Sequence, residues 1–133
     1  MGKDIFCKIV SGEIPAYKIY EDSQFLAFLD VNPIQLGHTL LISKEHCEYI
    51  FDMPELQYSA LLSKAKELAP AIQEATGSRR VGIAVEGFGV PHVHVHLVPI
   101  SEVNGLDPNK QHSETQEKLT EMAKNIKSKL LSQ

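Results

Sequence analysis

Apolar residues recur at helical spacing in three segments of the chain. In the first segment, Asp4 can serve as the N-cap, and Gly12 suits the position just after the last turn. In the second, Pro70 lies inside the pattern, so we expect the helix to kink there or to end and restart. In the third, Ser113 and Gln116 form a capping box before a stripe of apolar residues. These segments predict helices over residues 4–11, 54–76 and 113–131.

Five other segments are short, rich in apolar residues and bounded by turn residues, which is typical of β-strands. The first two flank a turn-like sequence at residues 21–24 and predict a hairpin, and Gly87-Phe88-Gly89 marks a turn between the last two. These elements predict an α+β fold, with an antiparallel sheet of about five strands and helices on one side. The predicted strands cover residues 18–20, 25–29, 38–42, 80–85 and 93–100.

Composition narrows the class of protein. A chain of 133 residues, 43% hydrophobic and 23% charged, fits one domain over residues 1–133. No apolar run approaches the ~18 residues of a membrane span. The net charge is −4 and no basic cluster is longer than Arg79-Arg80, so we expect neither a membrane nor a nucleic-acid partner. With two cysteines, Cys7 and Cys47, and no export signal, we expect a cytoplasmic protein.

Residues 91–99, Pro-His-Val-His-Val-His-Leu-Val-Pro, carry the most informative pattern. Alternation along a strand places His92, His94 and His96 on one face, with neighbouring side chains about 7 Å apart. The pattern is compatible with a solvated polar strand face. It also suits a zinc site, since two histidines at i and i+2 are a usual pair. A third interpretation is nucleophilic catalysis, in which one imidazole attacks and its neighbours orient it.

This histidine run resembles the signature of the histidine triad (HIT) family of nucleotide hydrolases and transferases. Residues 4–16, 25–33 and 37–46 resemble three other blocks of that family in their order and spacing. The resemblance covers about residues 4–100 and carries little into the predicted helical tail at 113–131. The most similar branch is the small nucleoside phosphoramidases, which implies a HIT-like fold whose sheet pairs across a homodimer.

The resemblance implies that His94 attacks the α-phosphorus of a purine nucleotide conjugate, of AMP or GMP. Water would then hydrolyse the nucleotidyl-histidine, with His96 and His38 binding phosphate oxygens and His92 completing the catalytic set. Asp30 would hold the ribose hydroxyls, although it also suits an Asx turn. The residues expected to line the base pocket are all apolar and would equally suit a core: Phe6, Ile9, Phe28, Val31 and Leu40.

The sequence departs from the phosphoramidase pattern in the segment before the triad. Val85 stands where many members have Asn, and the loop at residues 86–91 is about four residues shorter, without their Gln and Ser. The backbone amides of Gly89 and Val90 could still reach the phosphate. We expect this departure to affect leaving-group specificity and turnover, but not the nucleophile.

A second departure concerns zinc. Some family members hold a structural zinc, and the positions that match their ligands are Asp4, Cys7, His46 and His92. Carboxylate can ligate zinc, although thiolate is commoner in structural sites. Asp4 could instead be only a helix cap, and Cys7 only a small buried apolar residue. We therefore expect no cofactor in catalysis, and a structural zinc as one of two alternatives.

Three other functions remain open at this point. One is cleavage of dinucleoside polyphosphates, for which no clear basic groove is present. Another is a nucleotide- or partner-binding module with slow turnover, which the shortened loop favours. The last is an interaction protein organised by zinc.

Overall fold

A five-stranded antiparallel sheet lies at the centre of the protein, seen here in a computed structural model that describes residues 4–132. In chain order the strands are β1 (Lys18–Glu21), β2 (Phe25–Leu29), β3 (Thr39–Ser43), β4 (Arg80–Ala84) and β5 (His94–Ile100). In space they follow the order β1-β2-β3-β5-β4. The predicted α+β class is confirmed, and every predicted strand is found with ends that differ by at most one residue.

Three α-helices accompany the sheet: α1 (Ile5–Ser11), α2 (Glu55–Thr76) and α3 (Gln116–Leu131). Two short 3₁₀ helices, Ile50–Asp52 and Pro108–Lys110, lie in the connections. As predicted, Asp4 is the N-cap of α1, and Gly12 follows its last turn with φ +87°. Within residues 4–132, none of the helices combines the length and apolar character needed to cross a membrane.

Two details of the predicted helices are wrong. The third helix does not begin at Ser113, because Thr115 is the N-cap and its hydroxyl accepts the N–H of Lys118 at 3.2 Å. The second helix does not end and restart at Pro70, since α2 is a single helix of 22 residues. Pro70 is exposed, whereas Leu68 and Ala71 beside it are buried in the core. Packing on both sides of the proline therefore keeps the helix intact despite its missing N–H.

The two faces of the sheet bury different sets of residues. One face packs against α2 and α3, as predicted for the helices, and the short helix α1 packs on the other. The large core on the first face includes Leu41, Val95, Leu97, Leu61, Leu68 and Ile126. The smaller cluster on the second face, here called the pocket cluster, contains Phe6, Ile9, Leu26, Phe28, Leu40 and Ile42.

Strand pairing positions the histidines on the face of the pocket cluster. In the register between β3 and β5, His94 lies opposite Ile42 and His96 lies opposite Leu40. Opposed residues of an antiparallel pair point to the same face. The valines and leucine between the histidines consequently point into the large core, and this burial sets the orientation of β5.

Candidate active site

The three histidines of the run are held in different ways. His94 opens β5 and is 6% exposed, whereas His92 precedes the strand and is fully buried. His96 lies on the strand and is partly exposed. The rings of His94 and His96 are 5.0 Å apart between centroids, so the structure brings this pair together as predicted.

A backbone carbonyl determines which nitrogen of His94 carries the proton. Nδ1 of His94 lies 2.7 Å from the carbonyl oxygen of His92. Because a carbonyl can only accept, Nδ1 carries the proton and donates it to this bond. In the neutral ring, Nε2 of His94 therefore keeps its lone pair, as an attacking nitrogen requires.

A chain of hydrogen bonds sets the direction of the proton on His96. The backbone N–H of Ile34 donates to Nδ1 of His38 at 3.1 Å, so the proton of His38 is on Nε2. Nε2 of His38 lies 2.9 Å from Nδ1 of His96 and donates to it. Nε2 of His96 then carries the remaining proton and can donate to a bound group. Both ring nitrogens of His38 are thus engaged. Where a contact with phosphate was expected, His38 contacts His96 instead.

Burial keeps this pair of rings neutral. It lowers the pKa of His38 to about 3, with the neighbouring His96 adding to the effect. Burial also lowers the pKa of His96, as does the nearby His94, while the charge of Glu86 acts in the opposite direction. Both rings are therefore uncharged at neutral pH, which is the state that the donor and acceptor assignments require.

Asp30 forms the predicted Asx turn and also lies close to His38. Its Oδ1 accepts the N–H of Asn32 at 2.9 Å, which is the Asx turn, and its Oδ2 lies 3.8 Å from Nε2 of His38. Burial raises the pKa of this carboxyl group. Asp30 therefore lies beside the histidine pair, with one carboxylate oxygen engaged in the turn.

Four of the five residues predicted to line a base pocket come together. Phe6, Ile9, Phe28 and Leu40 belong to the pocket cluster, whereas Val31 lies outside it and is 50% exposed. The ring of Phe6 contacts that of His94 edge-on, with centroids 5.0 Å apart. Two other members of this cluster, Leu26 and Ile42, were not predicted. They could have been found from strand alternation, because they share a strand face with Phe28 and Leu40.

The loop between β4 and β5 lies at the end of the sheet where His94 begins β5. Val90 packs against the pocket cluster, and its carbonyl accepts the N–H of His92 at 2.8 Å. Gly89 is exposed beside it, and Gly87 has φ +85°, which a residue with a side chain would rarely adopt. The two residues expected to offer amides to a phosphate therefore come immediately before the triad, on the side of the pocket cluster.

His92 also belongs to a second group of side chains, together with Asp4, Cys7 and His46. Oδ2 of Asp4 lies 3.1 Å from Nδ1 of His92 and 3.1 Å from Nδ1 of His46. Sγ of Cys7 lies 3.6 Å from each of the same two nitrogens. The four predicted metal ligands thus form one group, with all their ligand atoms within 4.8 Å of one another.

A surface cavity of about 260 Å³ beside the second group is lined in part by Cys7, Lys8 and His46. A cavity of about 410 Å³, lined in part by Leu36, Thr76 and Met122, contains none of the histidines. Sequence reasoning also missed the backbone groups that orient the rings, namely the N–H of Ile34 and the carbonyls of His92 and Ser43. Backbone groups leave no side-chain signal, so only the tertiary structure shows them.

Known proteins and solved structures resemble this chain in sequence and in fold. The chain is 36% identical over 129 residues to adenosine 5'-monophosphoramidase HNT1 of Saccharomyces cerevisiae, covering 95% of this chain and 82% of that protein. It is 38% identical over 103 residues to adenylylsulfatase HINT3 of Arabidopsis thaliana, covering 74% and 52% of the two chains. A zinc-bound histidine triad family protein from Mycobacterium smegmatis superposes with a TM-score of 0.84 at 29% identity, over 98% and 94% of the two chains.

The family model of the HIT domain matches residues 11–103, a range that contains β1 to β5 and all three histidines of the run. Together with relatives more than 30% identical over most of the chain, this match establishes the family. The protein belongs to the HIT domain family.

Proposed function

We propose that this protein hydrolyses conjugates of purine nucleoside monophosphates at the α-phosphorus, with phosphoramidates of AMP or GMP as the substrate class. The single observation that carries the proposal is the lone pair of His94 Nε2, left available because Nδ1 donates to the carbonyl of His92. The yeast relative is named an adenosine 5'-monophosphoramidase, and this name supports the same class of bond.

The proposed reaction has two steps. In the first, Nε2 of His94 forms a bond to the α-phosphorus, and the bond from phosphorus to the leaving amine breaks. In the second, water attacks the same phosphorus, the bond to Nε2 breaks and the nucleoside monophosphate leaves. Dividing the hydrolysis in this way lowers each barrier. The leaving amine takes a proton from the solvent in the first step, and the attacking water releases one in the second. The chain itself supplies the nucleophile, so the proposed reaction requires no cofactor.

His96 is the proposed hydrogen-bond donor to a phosphate oxygen of the substrate. Its Nε2 carries a proton because Nδ1 accepts from His38, which in turn accepts from the N–H of Ile34. We assign His38 a positioning role, since it acts on the substrate through His96. Asp30 would bind the ribose, the pocket cluster the purine base, and the amides of Gly89 and Val90 the phosphate.

Replacing His94 should abolish turnover. We expect His94→Asn to lower kcat/KM for adenosine 5'-phosphoramidate by at least about 10³-fold, because the nucleophile is lost. His112 is an exposed histidine outside the site, so His112→Asn is the matched control and should retain the activity of the natural protein. Steady-state kinetics with all three proteins measure the effect.

Rapid-quench experiments with labelled substrate distinguish hydrolysis from binding alone. The natural protein should form a nucleotidyl adduct on His94 that the Asn variant lacks. Full activity in the variant would eliminate His94 as the nucleophile. Tight AMP binding without an adduct or turnover would instead indicate a nucleotide-binding module.

His38 and His112 should gain their protons in different pH ranges. Burial lowers the pKa of His38 to about 3, whereas contacts with Glu114 and with the carbonyl of Lys110 raise the pKa of His112 above 6.5. The unfolded chain binds a proton at His38 near pH 6.5 and the folded chain does not until about pH 3, so His38 reduces stability as the pH falls through this window.

In an NMR titration from pH 8 to pH 5, we expect the ring signals of His112 to shift and those of His38 to stay constant. A titration of His38 near its ordinary pKa would contradict the proposed direction of the proton on His96.

We further propose that Asp4, Cys7, His46 and His92 bind a zinc ion. Nε2 of the buried His92 donates to the carbonyl of Ser43 at 2.7 Å, so its Nδ1 lone pair faces the Asp4 carboxylate, another acceptor. A cation between them resolves this conflict. Tetrahedral zinc separates S from N ligands by roughly 3.6 Å and O from N ligands by roughly 3.3 Å. The corresponding distances here, 3.6 Å and 3.1 Å, fit that geometry.

Metal content should depend on one cysteine only. We expect about one zinc per chain in the purified natural protein and in Cys47→Ser, since Cys47 is not in the ligand group. Cys7→Ser should lose most of the metal, because it removes the only thiolate. Elemental analysis after extensive dialysis provides the measurement, and equal zinc in both variants would exclude Cys7 as a ligand.

We propose a homodimer formed along β4. This strand lies at the edge of the sheet, where its outer backbone groups can pair with a second copy. Ile83 on this strand is 50% exposed, which supports an apolar contact between copies.

Sedimentation equilibrium should give twice the mass of the chain. Ile83→Asp should shift the protein towards monomer, because a charge would be buried at the contact, whereas Leu131→Asp at the exposed end of α3 should not. A natural protein that sediments as a monomer would refute the dimer.

A cytoplasmic location is the last part of the proposal. Neither Cys7 nor Cys47 is in a disulfide among residues 4–132, and thiols of this kind suit a reducing compartment.

A further inference from the structure

The two carboxylate oxygens of Asp4 contact different partners. Oδ1 accepts the backbone N–H of Cys7 at 2.9 Å, which makes Asp4 the N-cap of α1. Oδ2 lies 3.1 Å from Nδ1 of both His46 and His92. The side chain is only 8% exposed, so both contacts are shielded from water. One residue therefore links the start of α1 to the proposed metal ligands.

Helix α1 in turn reaches the candidate active site. Its Phe6 ring lies 5.8 Å from the His92 ring and 5.0 Å from the His94 ring, between centroids. Ile9, one turn later, is buried in the pocket cluster. A helix of seven residues depends on its cap and on packing, because so short a segment is not stable by itself. Whatever holds Asp4 in place consequently helps to hold Phe6 against the nucleophile.

The cap and the histidine contacts use different oxygens of Asp4. The bond from Cys7 N–H to Oδ1 leaves Oδ2 to face the two histidines. The ligand group is also a mixed one, with a single thiolate beside two imidazoles and a hard carboxylate oxygen. The His46 side chain is 29% exposed, which gives solvent a route to one of the ligands.

We propose that Asp4 makes this group an exchangeable metal site, in which Oδ1 keeps α1 capped while Oδ2 gains or releases the ion. The proposal rests on the zinc site proposed above and is independent of the hydrolytic role of His94. It separates this site from closed structural zinc sites, whose loss of metal unfolds the surrounding chain. Here chelation removes the ion and leaves α1, Phe6 and the pocket cluster in place.

Two substitutions at Asp4 separate the cap from the ligand. Asp4→Asn keeps an oxygen that can accept the Cys7 N–H but removes the charged ligand. Asp4→Cys supplies a second thiolate but removes the carboxylate cap. Glu48→Gln is the matched control, since Glu48 lies 3.8 Å from His46 Nε2 and is outside the ligand group. The full chain is used throughout, with Zn²⁺ titrated against a chromophoric chelator and hydrogen exchange of the Cys7 amide followed by NMR.

In the natural protein, we expect reversible binding of one Zn²⁺ and the same slow exchange of the Cys7 amide with and without metal. Asp4→Asn should weaken Zn²⁺ binding about tenfold or more and keep that amide protected. Asp4→Cys should tighten binding by a similar factor and make the protection depend on metal. Glu48→Gln should match the natural protein in both measurements.

Three results would overturn the proposal. Loss of Cys7 amide protection when the natural protein is chelated would show that the metal, and not Asp4, holds α1. Unchanged Zn²⁺ affinity in Asp4→Asn would show that Oδ2 is not a ligand. Failure of the natural protein to bind Zn²⁺ would remove the metal site altogether, and the hydrolysis assay on His94 would still stand as a separate test.

Discussion

Hydrogen bonds between rings and backbone determine which nitrogen carries the proton in His38, His92 and His94. The carbonyl of His92 accepts the hydrogen bond from Nδ1–H of His94, and the carbonyl of Ser43 accepts that from Nε2–H of His92. The N–H of Ile34 instead donates to His38 and so fixes the proton on the far nitrogen of that ring. A neutral imidazole has one donor and one acceptor, so each backbone contact leaves the other nitrogen with a definite role. Without them, three adjacent imidazoles would have no assigned nucleophile, donor or ligand.

The same strand separates two kinds of chemistry. His92 ends the loop before β5 and turns its Nδ1 towards Asp4 and Cys7, whereas His94 begins β5 and leaves its Nε2 to the pocket side. Phe6 packs edge-on against both rings and keeps the two groups in contact. Because β5 is paired on both sides, by β3 and β4, its backbone cannot shift without breaking the sheet. A rigid scaffold of this kind suits a site that depends on ring orientation.

The differences between the predicted and observed elements have physical causes. Proline inside α2 was expected to interrupt it, yet Leu68 and Ala71 bury the helix on either side of the exposed ring. Ser113 was expected to cap α3, but Thr115 does so, two residues later. Both cases concern local signals that tertiary packing or a competing neighbour overrides, whereas the strands, whose alternation reflects a buried face, were found within one residue.

By itself the sequence determined the α+β class, the five strands and the shared face of His92, His94 and His96, because these features follow from side-chain periodicity along the chain. The set of Asp4, Cys7, His46 and His92 was predicted only from the family resemblance, and the structure brings the four side chains together. Only the tertiary structure decided which nitrogen of each ring is protonated, that His38 acts on His96, and that Asp4 divides its two oxygens between α1 and the ligand group. These depend on backbone groups and on residues up to 88 positions apart, which no local pattern can record.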